Sequence, residues 1–290
     1  MNKKKLLLII GIVLALLLLS GCARPMDENG NILKITDETT FSQILNDEGI
    51  FSAIFIFPLA KFINFMVPYT GVGLGIVIVT VVINLLVLAF TWKSSVGAQK
   101  IQVVQPEIVR IQKKYEGRDD RNSMMKMQNE MNAVYKKYDV HPFGSILTTF
   151  LQFPILIAMY NAVQRAATVA EGTFAGMKLE LTPREGFASG QYGYAVIFVV
   201  MILVQLLSMK IPTWLAERRA KLEAEKHFRT YRKPEGQNNM MTSMIVMLVF
   251  ISFLMLNWPT AMSLYYLVSS LTMVLKNILI DTIIAKQGEQ

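Results

Sequence analysis

Long apolar runs alternate with short charged stretches along the whole chain, on a scale too coarse for a soluble amphipathic fold. After a first run at residues 6–19, five blocks read as membrane-spanning helices, at about 72–92, 143–163, 194–211, 241–256 and 261–284. One more block, 50–66, is aromatic and apolar but is interrupted by Pro58 and carries Lys61, so it reads as an amphipathic helix lying in the outer interface. Pro68, Gly71, Gly73 and Gly75 then lead into the first span. The expected fold class is an all-α integral membrane protein with five transmembrane helices.

A finer periodicity marks the stretch after the first span. Ile101, Val104, Ile108, Ile111 and Tyr115 follow a three-four-three-four spacing, and Met124, Met127, Met131, Val134 and Tyr138 carry a second seam of the same kind. Gly117, Asp119 and Asp120 supply a turn between them, while Pro106 interrupts the first helix or marks its restart. Two seams joined by a short turn predict an antiparallel helical hairpin within 93–140. The simplest reading is that the seams bury each other and leave the charged flanks for partners, although a methionine-rich seam is also soft enough to suit a partner surface.

Charge orients these elements. Residues 93–140 carry ten Lys/Arg and residues 210–240 carry eight, whereas 166–192 has Lys178 and Arg184 alone. The positive-inside rule places both basic loops, 93–140 and 212–240, in the cytoplasm and the loop 166–192 outside. The N-terminus is then outside and the C-terminus inside, with a short tail at 286–290. Trp92 and Trp258 fall near span ends, where indole rings favour the interface.

The first apolar run differs from the spans. Lys3, Lys4 and Lys5 precede it, and Leu19-Ser20-Gly21-Cys22 closes it. A charged start, an apolar core and small residues before a cysteine make a lipoprotein signal peptide over 1–21, with Cys22 as the lipidated first mature residue. That anchor puts the segment 22–49 outside. Its acidic excess, Asp27, Glu28, Asp37, Glu38, Asp47 and Glu48 against Arg24 and Lys34, agrees.

Composition narrows the function. The chain is 53% hydrophobic and 17% charged, with a mean hydropathy of +0.40, which places it among membrane proteins. A net charge of +8 on a soluble chain would suggest nucleic acid, but here the basic residues flank spans, and no specific nucleic-acid partner is expected. One cysteine and two histidines make neither a disulfide nor a Cys/His metal site, and no cofactor is expected beyond the lipid on Cys22. No catalytic motif or phosphate-binding loop occurs, so the chain reads as non-enzymatic.

The polar residues inside the spans are the candidate chemistry. Thr80, Asn84 and Thr91 share a face of the first span, as do Ser145, Thr149, Gln152 and Tyr160 in the second. Gln205 and Ser208 mark the third span, Ser243 and Ser252 the fourth, and Tyr265, Ser269, Thr272 and Lys276 form a stripe on the fifth. Each alone reads as interhelical glue. A polar face on nearly every span instead suggests a shared hydrated cavity that shelters a polar segment of another chain as it crosses. Asp281 is the sole acidic residue in the core of a span and lies near the cytoplasmic end, which argues against an ion-coupled transporter.

Several motifs resemble the YidC/Oxa/Alb family of membrane protein insertases, in its Gram-positive lipoprotein form. Gln105-Pro106-Glu107 and Lys113-Lys114-Tyr115 are similar to the family's first cytoplasmic loop. Pro142-Phe143-Gly144, Leu151-Gln152-Phe153-Pro154-Ile155 and Tyr160 resemble its second span, and Pro259-Thr260-Ala261 with Leu264-Tyr265-Tyr266 resembles its last. The resemblance covers about residues 50–285.

It implies energy-independent insertion of hydrophobic segments of nascent membrane proteins through a hydrated groove, alone or beside the Sec translocon, with the ribosome a further candidate partner. The tail after Ile284 is short, so ribosome binding through it is not expected. Groove contacts would come from Thr80, Asn84, Gln152, Gln205, Tyr265, Tyr266 and Lys276. Asn84 stands where the family usually has an arginine, which keeps a polar group and removes a charge. A small-solute transporter or channel, or an insertase-derived scaffold with weakened activity, are the competing readings.

Overall fold

The computed structural model describes residues 25–139, 142–226, 228 and 237–288. The expected signal peptide and Cys22 lie outside them, as do the side chains of Ser145, Thr149 and Ser243. The described chain is mostly helical, as apolar segments must be where no water is available to backbone N–H and C=O groups. In order come α1 (Phe41–Glu48), a π-helical turn (Ser52–Ile56) running into α2 (Phe57–Thr70), α3 (Val72–Lys114), α4 (Arg121–Lys137), α5 (Pro142–Arg165) and α6 (Ala167–Glu171). A two-stranded antiparallel hairpin follows, β1 (Thr173–Phe174) and β2 (Met177–Lys178), then α7 (Pro183–Ala188), α8 (Tyr192–Lys226), α9 (Gln237–Leu256) and α10 (Thr260–Gly288).

Four stretches among the described residues are long and apolar enough to cross a membrane: Ser52–Thr70, Val72–Ile101, Tyr192–Leu222 and Thr260–Ile284, with a shorter apolar helix at Met244–Leu256. The molecule is a multi-pass membrane protein. Two boundaries differ from the sequence reading. The expected interfacial helix extends to Thr70 with Pro68 inside it and is long enough to span. Gly71 ends it, with φ 78, where an L side chain would be strained, and its N–H caps Val67 O at 2.8 Å. The first span does not stop at Trp92, because α3 continues as one 43-residue rod to Lys114.

The chain forms two compact units, and each long helix from α3 onward except α4 contributes a segment to both. The first contains the described residues up to Ile83, with Phe150–Met201 and Phe253–Val268. Here the segment before α1 is tied to the end of α5. Ile35 N–H donates to Arg165 O at 2.6 Å, and Lys34 Nζ reaches Gln164 O at 2.8 Å. Asn64 of α2 donates to Ile35 O at 2.6 Å and accepts from the Thr168 N–H and hydroxyl at 3.2 and 2.9 Å. The Arg165 guanidinium grips both Glu48 carboxylate oxygens at 2.6 Å and donates through Nε to Leu33 O at 3.0 Å. Arg165 is 2% exposed, so this is a buried, bidentate pair. Thr260 and Ala261, at the start of α10, donate backbone N–H groups to Leu181 O and Leu179 O at 2.8 and 3.0 Å. Gly186 of α7 lies flat against the buried Tyr194 ring, where a Cβ would come within 2.2 Å.

The second unit comprises Asn84–Thr149, Ile202–Ser252 and the rest of α10. In it α3 and α4 turn back on each other around buried Val104, Ile108 and Val134, with Ile111, Met131 and Tyr135 against them. Asp120 caps α4, its carboxylate accepting from Ser123 N–H at 2.8 Å, and those Ser123 contacts hold its carboxyl below the usual range. Gly117, φ 76, makes the turn. The second seam is shorter than its spacing predicts, since Met124 and Tyr138 are exposed and Tyr135 packs instead. Tyr115, just past the end of α3, already faces Glu130 at 2.8 Å, so the first turn of α4 has no opposing helix.

Lys114 Nζ lies 2.6 Å from Glu130. Hydrogen bonds from Lys114 and then Tyr115 hold the Glu130 carboxyl below its ordinary value, and the bond to Glu130 raises Lys114. The pair therefore steadies the turn through neutral pH. Its contribution is lost as pH falls through the depressed Glu130 value or rises through the raised Lys114 value, and solvent exposure keeps it small.

Candidate functional site

Apolar helices leave few ways to satisfy a polar side chain, so the pairs they do form locate any polar site. In the second unit these pairs converge on α10. Asn84 of α3 donates to Ser269 Oγ at 3.1 Å. Gln205 of α8 accepts from the hydroxyl of the next residue, Ser270. Gln99, farther along α3, donates to Asn277 O at 2.9 Å and to Asn277 Oδ1 at 3.3 Å. Farther still, Arg219 of α8 pairs with the Asp281 carboxylate and donates to Asp281 O at 2.6 Å. Three helices thus share one polar seam at 269–270, 277 and 281 of α10, with amides and hydroxyls at one end and an ion pair at the other.

Other polar residues also bond within their own helix. The hydroxyls of Thr80 and Thr91 donate to the carbonyls of Ile76 and Val87, one turn back, at 2.6 and 2.7 Å, and Ser208 donates to Gln205 O at 2.8 Å. Such back-bonding satisfies a hydroxyl donor within an apolar helix. Thr80 is fully buried in the first unit and presents no polar surface.

The expected groove residues therefore fall into two sets. Asn84, Gln205 and Lys276 belong to the second unit, where Asn84 and Gln205 meet adjacent serines of α10. Lys276 is half-buried on the same helix. Thr80, Gln152, Tyr265 and Tyr266 belong to the first unit. There Tyr265 is buried and lies edge-on to Tyr266 at 5.5 Å, Gln152 is half-buried, and Tyr160 packs on Trp258 at 4.6 Å.

The sequence reading passed over Gln99, Asn277 and Ser270. Gln99 sits beyond the expected end of the first span, where a polar residue draws no notice until α3 proves continuous. Asn277 adjoins Lys276 and was masked by it. Arg165 was also missed, yet a signal existed: a basic residue at the end of a span whose following loop is otherwise poor in Lys and Arg is one that needs a partner.

A family model described as 60Kd inner membrane protein matches residues 63–287. Among curated relatives, Membrane protein insertase YidC 2 of Bacillus anthracis is 28% identical over 272 residues, 93% of this chain and 90% of its own. Membrane protein insertase YidC of Oceanobacillus iheyensis is 27% identical over 281 residues, 96% and 97% of the two chains. Membrane protein insertase YidC 1 of Streptococcus pyogenes serotype M3 is 29% identical over 227 residues, 78% and 72%.

Proposed function

This chain belongs to the 60Kd inner membrane protein family, and on that premise we propose that it is a membrane protein insertase, a non-enzymatic factor that passes hydrophobic segments of nascent membrane proteins into the bilayer. The observation that carries the mechanism is the polar seam of Asn84, Ser269, Ser270, Gln205, Gln99 and Asn277 within otherwise apolar helices. Amides and hydroxyls there, with water, replace part of the hydration that a short polar flank loses on entering hydrocarbon. The apolar segment behind the flank then moves into lipid, driven by burial of its own surface. The chemistry needs no bond making and no bound energy source.

The supporting topology has five spans, an outer N-terminus and an inner C-terminus, with α4 and the distal part of α3 forming a cytoplasmic hairpin. Ten Lys/Arg in 93–140 support that side. A cysteine introduced by Lys126→Cys is expected to react with impermeant reagent from the cytoplasmic side alone. In the same reading Cys22 is the lipidated first residue. Mass spectrometry of membrane-extracted protein is expected to show loss of residues 1–21 and a diacylglyceryl adduct, and an intact Met1 would refute it. The Sec translocon and the ribosome are candidate partners.

The activity itself is tested by reconstituting the purified chain in liposomes with a short single-span substrate and measuring protease protection of the translocated flank. Protection is expected to require the chain. Insertion no better than in empty vesicles would sink the proposal.

A further inference from the structure

We propose that Lys210, Trp214 and Arg218 of α8 hold the headgroup of an anionic phospholipid, at the end of that helix which the proposed topology places in the cytoplasm. Leu203, Leu207, Lys210, Trp214 and Arg218 are all exposed. Their spacing of four, three, four and four puts them on one line along the helix. The opposite side of α8 meets α10, through Gln205 on Ser270 and Arg219 on Asp281, and Ser208 between them is buried. The exposed line is therefore the side turned to lipid, and along it leucine gives way to lysine within one turn.

That change falls where a bilayer ends. α8 starts at Tyr192, and a hydrocarbon core about 30 Å thick takes about 20 residues at 1.5 Å each. The far boundary then lies near residue 212, between Lys210 and Trp214. Side chains lean toward the N-terminal end of their helix, so Arg218 lies back over Trp214, its guanidinium 6.0 Å from the ring centroid. Lys210, on the apolar side of the boundary, extends its chain to headgroup level. Two cations thus reach one level from either side of an indole, which itself favours the interface. Among the described residues neither cation has a carboxylate partner. Glu217 and Lys221 on the same face pair with each other at 3.2 Å and add no net charge, and exposed Glu225 lies about 10 Å beyond Arg218. Two such cations at the end of a leucine track complement a phosphodiester that carries acyl chains. A zwitterionic headgroup would bring its own cation to the same place, and RNA would leave the leucines uncovered.

The test is native mass spectrometry of the full chain in detergent, titrated with phosphatidylglycerol or phosphatidylcholine of matched acyl chains. The parent is expected to retain phosphatidylglycerol in preference. The double variant Lys210→Gln, Arg218→Gln is expected to bind it about thirtyfold more weakly, the size of two cations near an anionic surface, with phosphatidylcholine unchanged. Lys210→Arg, Arg218→Lys is expected to bind like the parent. Lys126→Gln, Lys136→Gln removes the same charge from exposed positions of α4 and is expected to change nothing. Equal phosphatidylglycerol affinity of the parent and the Lys210→Gln, Arg218→Gln variant overturns the proposal. So does an equal loss for both lipids, which marks a misfolded helix, or an equal loss in the α4 variant, which marks net charge alone. Loss of ribosome binding with phosphatidylglycerol affinity intact assigns the face to RNA and also overturns it. These outcomes do not depend on insertion activity, which is measured separately.

Discussion

Replacing Arg165 by alanine is expected to cost about 3–5 kcal/mol, the range for stranding one member of a buried ion pair. Glu48 would lose both of its 2.6 Å contacts while remaining largely enclosed, and Leu33 O would lose its donor. The damage should spread along the first unit. Ile35 forms a bridge with Ala166, next to Arg165, and Asn64 ties Ile35 to α2 and to Thr168. Protease sensitivity between residues 25 and 48 and the melting temperature in detergent are the measurements. The double variant Arg165→Met, Glu48→Leu separates charge from packing. It is expected to recover most of the loss, because apolar residues of similar volume often replace a buried pair at little cost. A single variant that melts like the parent would show that the pair contributes nothing.

The second large effect is on function. Asn84→Leu is expected to reduce insertion of substrates with uncharged polar flanks about tenfold, since an entering polar group left without one partner in hydrocarbon costs about 1–3 kcal/mol. Stability should change far less. Interhelical hydrogen bonds of the Asn84–Ser269 kind are worth roughly 0.6–1.7 kcal/mol in membranes, because the alternative state also finds partners. Insertion per folded molecule, with the melting temperature measured beside it, distinguishes the two roles. If stability drops and insertion per folded molecule does not, Asn84 is glue for α3 and α10 and no more.

Much of the architecture could be read before any coordinates. A bilayer core demands runs of about 20 apolar residues, so the blocks at 72–92, 194–211 and 261–284 announce spanning helices by composition alone. The three-four spacing of Val104, Ile108 and Ile111 likewise marks a helix face that must be covered, and it is. These are local properties, set by neighbours within a turn or two. Helix ends were less legible. Trp92 and the basic residues after it looked like the end of a span, but propensity does not stop a helix at a membrane surface when the next segment is also helical, so α3 runs on to Lys114.

Pairing was beyond the reach of the sequence. Asn84 and Ser269 are 185 positions apart, and Arg165 and Glu48 are 117 apart. A polar stripe shows that a side chain needs a partner, yet the stripe is the same whether the partner is the chain's own carbonyl, as for Thr91, or another helix, as for Asn84 and Gln205. The choice depends on which helices pack together and on their relative rotation. Those are set by the summed packing of many apolar contacts and not by any one residue. The chain alone thus determined that this is a multi-pass helical membrane protein with polar residues inside its spans. Tertiary structure decided which of those residues bond within their own helix and which meet on α10.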